Sequence, residues 1–226
     1  MCGRFNVIDS PGLKELLKDL GLDLSLPSRV NVAPTERVAL IREVDGARTL
    51  DLARWWLTPS WAKQVNQKYA MFNARSEGLT KSAAYRTPFR QQRGIVPMSS
   101  FVEWRGTAAS KQPWMIRGED SEFAAAALWD VWEGEGTALL SCTIVTAAAP
   151  EAFGPWHKRM PVMLEPQEWD RWLDNAQPIA KDDTLFDSRL KQPWRLRPLG
   201  REIGNAREKH LSLLEPVGEE VLLGSV

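Results

Sequence analysis

Leu13, Leu16, Leu17 and Leu20 recur at the spacing of one helix face. Ser10 can cap that stretch, Pro11 suits its first turn and Gly21 its exit, so the pattern predicts a helix over 10–21. From there the pattern turns to β-type runs at 38–44, 49–56, 95–104, 113–117, 123–129 and 139–147. Asp45-Gly46 between the first two reads as a tight turn joining paired strands. Short helices are predicted at 79–85 and 166–173, loops at 150–157 and 178–193. The tail 215–226, with Gly218, Glu219, Glu220 and Gly224, is expected to be loosely held. The strand runs follow one another too closely for alternating βαβ units. The prediction is a single α+β domain over 1–226, with a curved, barrel-like, mainly antiparallel sheet and peripheral helices.

Composition narrows the function classes. In 226 residues, 29 Lys and Arg balance 29 Asp and Glu, so no global basic field draws the chain to nucleic acid, although a local basic groove is still open. Two cysteines without disulfide-type spacing suggest a reducing compartment. No signal peptide or membrane-length apolar run is read, which makes the cytoplasm the expected location and a membrane partner unexpected. Cys2, Cys142, His157 and His210 lack paired ligand spacing, so no metal and no cofactor are expected; Cys142 reads as a small core residue. Most of the eleven tryptophans read as core. Trp61, after Pro59-Ser60, and Trp104, between Glu103 and Arg105, are instead flanked by turn residues or charge. Indoles beside arginines are suited to stacking exposed bases.

Candidate chemistry starts at Met1-Cys2-Gly3-Arg4-Phe5. Removal of Met1 would leave a residue with a free α-amine and a thiol on adjacent carbons, both partly nucleophilic near neutral pH. Such a pair can close on an aldehyde, the amine giving an imine and the thiol then a five-membered thiazolidine; the thiol could equally attack an acyl group. The bland alternative is a cysteine beside an unprocessed Met1. In Met71-Phe72-Asn73-Ala74-Arg75-Ser76-Glu77, Asn73 could orient a reacting group and Arg75 hold an anion, or the segment is a polar turn. Glu103 lies among bulky apolar neighbours; burial would raise its pKa into a range useful for proton transfer, whereas an outward strand residue would do nothing. His157 precedes Lys158 and Arg159, which favour neutral imidazole, or it is an idle loop residue.

These segments resemble the SRAP family (SOS response-associated peptidase), and the resemblance covers nearly the full length. It is carried by Met1-Cys2-Gly3-Arg4-Phe5, Asn31-Val32-Ala33-Pro34, Asn73-Ala74-Arg75-Ser76-Glu77, Glu103-Trp104, Val145-Thr146-Ala147-Ala148-Ala149, His157-Lys158-Arg159-Met160-Pro161 and Ile203-Gly204-Asn205. It implies a compact bacterial abasic-site processing protein, monomeric and cytoplasmic, nucleoid-associated when bound. Its partner would be single-stranded DNA bearing an abasic site, captured as a covalent thiazolidine on Cys2. By motif, Asn73 would position the sugar, Glu103 would shuttle protons, and His157 would handle a sugar-hydroxyl proton and assist reversal. Arg4 and Arg75 would hold flanking phosphates. Pro34, Trp61 and Trp104 would wedge or stack, and Asn31, Lys158 and Arg159 complete the expected DNA-contacting set. The resemblance implies peptidase activity as self-removal of Met1, and a Schiff-base intermediate open to lyase chemistry. Ala62 stands where similar proteins often carry a second tryptophan beside the first. Two alternatives belong to other classes. One is an N-terminal-cysteine amidohydrolase of the class II glutamine amidotransferase type; the other is a noncatalytic single-stranded DNA-binding module.

Overall fold

The structure is a computed structural model and describes residues 2–65, 69–107, 110–134 and 136–224. Its centre is a closed five-stranded barrel. Phe123–Gly134 and Thr137–Ala148 form a long antiparallel hairpin. Thr137–Ala148 also pairs in parallel with Ala47–Trp55, which pairs with Arg37–Val44, then Arg93–Met98, and so back to Phe123–Gly134. The predicted turn closes the Arg37–Val44 and Ala47–Trp55 hairpin, with Asp45 and Gly46 both at positive φ (52° and 76°) as a primed turn requires. Around this closure Ala124, Ala125, Ala126 and Ala127 are all buried. Small residues let the strands approach closely, and Gly94 shows the limit: a Cβ there would lie 2.8 Å from the Leu40 side chain and 2.9 Å from the Ile41 carbonyl.

A second, antiparallel sheet has the order Val221–Leu223, Trp194–Pro198, Gln112–Gly118, Ser100–Arg105, Phe5–Val7, Arg29–Val32. One hydrophobic core joins it to the barrel, with Phe5 edge-on to Trp55 at 5.0 Å and Phe101 against Phe123 at 5.9 Å. The architecture is therefore the α+β, barrel-like single domain expected. A smaller cluster of Val30, Val102, Met115, Leu199, Ile203 and Leu213 occupies the other face of the second sheet.

The helix Pro11–Asp19 has Ser10 accepting from the Leu13 amide and buries Leu13, Leu16 and Leu17. Pro166–Leu173 forms where predicted and buries Trp169, Trp172 and Leu173. Three expectations change. The apolar run 95–104 is not one strand: Arg93–Met98 belongs to the barrel and Ser100–Arg105 to the second sheet. The chain switches at Ser99, whose amide bonds the Asn6 carbonyl while its hydroxyl accepts from Ile8. The helix expected at 79–85 forms instead at Arg86–Gln91. Pro88 dictates this, because a proline is tolerated only in a first turn, where its missing N–H has no helical partner to lose. The tail expected to be loosely held is instead tied down through Val221–Leu223, which pairs with Trp194–Leu196.

The C-termini of Arg86–Gln91 and Pro166–Leu173 meet at fully buried Arg93. Its guanidinium donates to the carbonyls of Phe89, Arg90, Trp172, Asp174 and Gln177. Helix C-termini leave carbonyls without intrahelical partners and carry partial negative charge, so one cation satisfies both ends. Arg93→Lys keeps the charge but has only three donors. It is expected to cost about 1–3 kcal/mol, read as a lowered urea midpoint with unchanged slope.

Candidate active site

The second sheet sets the register around the amino terminus. Phe5 pairs with Phe101 on one side and Val32 on the other, and the Val102 amide donates to the Arg4 carbonyl. Continuing the ladder with Ser100–Arg105 toward the terminus places Gly3 opposite Glu103, whose charge acts on Cys2. Cys2 thus emerges beside a carboxyl-bearing strand, and the strand Arg29–Val32 on the other side of Phe5 runs into a 33–35 turn in which Thr35 holds an unusual left-handed φ of 81°. From the barrel, Asn73 reaches across and donates from Nδ2 to the Cys2 carbonyl at 2.7 Å.

Cys2 is fully buried. Burial first, then the Glu103 charge, push its thiol well above the usual range, with the amino-terminal charge and a 3.7 Å contact to the Arg4 carbonyl opposing. The resting sulfur is therefore a protonated thiol. Glu103 is 3 % exposed. Burial raises its pKa to about 7, against the pull of the amino-terminal charge and Lys111. A carboxyl poised there exchanges a proton readily at neutral pH.

His157 is half-buried, and its pKa is lowered by burial and by the amino-terminal charge. Its Nδ1 lies 2.9 Å from the Arg159 amide and 3.0 Å from the Arg159 carbonyl. The amide can donate to the neutral ring, and the carbonyl can accept from the imidazolium. One backbone residue thus seats both protonation states.

The barrel strand Thr137–Ala148 brings the remaining pieces together. Thr146 pairs with Arg75 on one edge and Pro161 on the other, so Asn73–Arg75 and Arg159–Pro161 flank the same strand end. Arg159 bonds the Thr146 carbonyl and hydroxyl and makes a two-pronged pair with Glu77. The Asn73 Oδ1 is buried and has no hydrogen-bond partner among the described residues.

The other sequence candidates fall around this centre. Arg4 is half-buried, its guanidinium on the Gly3 carbonyl; burial lowers its pKa and Glu36 opposes. Pro34 is half-buried, and Arg75 and Lys158 are exposed. Trp61 is 63 % exposed, and its indole donates to the Ala83 carbonyl. Asn31 is fully buried at φ 54°, its amide holding the carbonyls of Asn205 and Glu208. Trp104 packs with Ile8 and Leu214 on the smaller cluster. Strand alternation puts it on the face away from Glu103.

Three residues to which sequence reading gave no role belong to the surroundings: Thr146, Glu36 and Asp130. Glu36 holds the Ala33 amide, Arg29 and Lys209. Each is a lone polar residue in or beside a strand, and only the tertiary pairing reveals its partners. Among the described residues, no group of His, Cys, Asp and Glu could hold a metal ion, and no helix is long and apolar enough to cross a membrane.

A barrel joined to an antiparallel sheet, with Cys2 held between Glu103 and Asn73, defines one class of protein. The chain belongs to the SOS response associated peptidase (SRAP) family, whose family model matches residues 1–206. It is 35 % identical over 202 residues to the abasic site processing protein YoqW of Bacillus subtilis (strain 168), covering 86 % of this chain and 88 % of that one. It is 27 % identical over 230 residues to the abasic site processing protein YedK of Escherichia coli (strain K12), covering 96 % and 100 %. A crystal structure of a Bacteroides thetaiotaomicron protein shares the fold, with a TM-score of 0.77 at 19 % identity, covering 96 % of this chain and all of that one.

Proposed function

We propose that this protein captures abasic sites in single-stranded DNA as a covalent thiazolidine on Cys2 once Met1 has been removed. The observation that carries the reading is the register that sets Gly3 opposite Glu103 while Asn73 grips the Cys2 carbonyl. The names of the SRAP relatives supply the lesion.

The abasic sugar is in equilibrium between a closed hemiacetal and an open aldehyde. Glu103 takes the proton from the C1′ hydroxyl as the ring opens, and His157 delivers one to the departing ring oxygen, which becomes the C4′ hydroxyl. The Cys2 amine attacks C1′, and loss of water with a proton from Glu103 leaves the imine. The Cys2 S–H then adds across the C=N bond: sulfur bonds C1′ and the proton ends on nitrogen, closing the five-membered ring. A thiol held protonated by burial keeps the amine first in this order. The open Oδ1 of Asn73 is the acceptor left for the sugar. Arg4, Arg75 and Lys158 provide a basic rim for flanking phosphates on a chain of zero net charge, while Arg159, held by Glu77 and Thr146, braces the strand end beneath them. Trp61 is the stacking platform, and half-buried Pro34 is the wedge. The protein acts as a cytoplasmic monomer.

Protein confirmed by intact mass to lack Met1 should shift to a heat-stable 1:1 adduct on single-stranded DNA carrying one abasic site. It should leave undamaged DNA unmodified. An adduct of equal yield on Met1-retaining protein would overturn the reading, since that chain has no Cys2 amine.

A further inference from the structure

The segment 58–62, which carries Trp61, is pinned at three successive points by the barrel hairpin. The Thr58 amide donates to the Ser141 hydroxyl at 2.8 Å, the Ser60 amide to Asp130 Oδ2 at 2.7 Å, and the Trp132 indole to the Ala62 carbonyl at 2.7 Å. The residues leading into it run beside the site, with the Leu57 amide on the Met71 carbonyl and the Trp55 indole on the Phe72 carbonyl, one residue before Asn73. Asp130 is the costly member of this set. It is 5 % exposed and has no ion pair among the described residues. Its Oδ1 accepts from the Val131 amide and Gln92, and its Oδ2 is given to Ser60. Burying a carboxylate without a cation is unfavourable, and a serine or asparagine would cap one amide more cheaply. What this carboxylate accomplishes is to fix the residue preceding an indole that is 63 % exposed.

We propose that Asp130 is a positioning residue that acts through Ser60 to hold Trp61 as a preset stacking platform for a base beside the lesion. The inference rests on the reading of Trp61 as that platform. A platform ordered before DNA arrives loses little freedom on binding, so the gain falls on affinity. Asp130→Asn tests the arrangement at constant shape. The single amide group must turn its NH2 either toward the Ser60 N–H or toward the Val131 and Gln92 donors, and one side becomes donor against donor.

The experiment is a double-mutant cycle over Asp130→Asn, Trp61→Ala and the pair. Binding is measured by anisotropy to a single-stranded oligonucleotide with a tetrahydrofuran abasic analogue, which has no aldehyde and reports binding alone. Asp130→Asn is expected to weaken binding by roughly 3- to 10-fold in the wild-type background and not at all beside Trp61→Ala. In capture assays the loss should fall on the half-saturating DNA concentration rather than on the maximal rate. Hydrogen exchange at the Ser60 amide should quicken in Asp130→Asn. Trp132→Phe, which removes only the Ala62 anchor, gives a second, milder route to the same pattern if Asp130→Asn folds poorly. Equal losses from Asp130→Asn with and without Trp61 would overturn the proposal, as would full affinity despite faster Ser60 exchange. No loss from Trp61→Ala would instead overturn the underlying reading of Trp61.

Discussion

Cys2→Ala protein freed of Met1 is expected to give no heat-stable adduct with abasic single-stranded DNA, yet to be trapped on it by borohydride. Alanine keeps the α-amine, so imine formation at C1′ still proceeds. What it lacks is the sulfur that closes the ring, and an open imine hydrolyses during denaturation. Stable adduct should fall below about 1 % of wild type, because no second nucleophile sits on the adjacent carbon. The stalled imine also acidifies the C2′ protons, so β-elimination should appear as nicked DNA that wild type suppresses. The substitution is mild for the fold: it removes one buried sulfur and leaves intact the Asn73 bond to the residue-2 carbonyl. Absence of borohydride trapping would mean that the amine does not attack. A heat-stable adduct of wild-type yield would mean that a different residue is the nucleophile. Either result sinks the thiazolidine route.

The sequence made some of this structure legible and hid the rest for physical reasons. Pro11–Asp19 and Pro166–Leu173 were readable because a 3.6-residue period and end signals coincide. Strands of three to five residues, such as Phe5–Val7, Arg29–Val32 and Arg159–Pro161, are too short to show a period, and these frame the site. The run 95–104 concealed the opposite problem: it is mostly apolar because both of its strands are buried, so only the pair Ser99-Ser100 marks the change of sheet. The candidate chemistry was visible as residue types in four short segments, around Cys2, Asn73, Glu103 and His157. Their convergence was not, since Asn73 meets Cys2 across 71 residues of chain and Gly3 meets Glu103 across about 100, and only the tertiary pairing closes those distances. Alternation alone separates Trp104 from Glu103, a rule that adjacency in sequence obscures. Asp130 carried no sequence signal, because its meaning lies in one amide of a distant loop.

Glu103→Gln is expected to divide function from stability. The carboxyl has an ordinary pKa near 4.5 in the unfolded chain and about 7 in the fold, raised by burial. The folded state therefore binds the proton more tightly, and the stability this group contributes is fully present below pH 4.5 and lost as pH rises through 7. At pH 8 the wild type holds a buried carboxylate, whereas glutamine is neutral at every pH and nearly the same shape. The variant should gain on the order of 2–3 kcal/mol over wild type at pH 8 and little at pH 4.5, read from urea midpoints at the two values. His157, its pKa lowered by burial, is present in both proteins and cancels in the difference. Catalytically the change runs the other way. Glutamine can neither take the C1′ hydroxyl proton nor return one to the departing water, so capture should slow by roughly 10²- to 10⁴-fold. The wild-type rate should pass through its maximum near pH 7, where one carboxyl is available in both forms, and the residual rate of the variant should lose that feature. A variant that captures DNA within threefold of wild type would remove Glu103 from the chemistry. One that is slow but no more stable at pH 8 would mean that the carboxyl reaches solvent and is not raised by burial. A slow, stabilised protein joins the two halves: the fold keeps an unfavourably buried acid at the amino terminus because the reaction needs a proton held there.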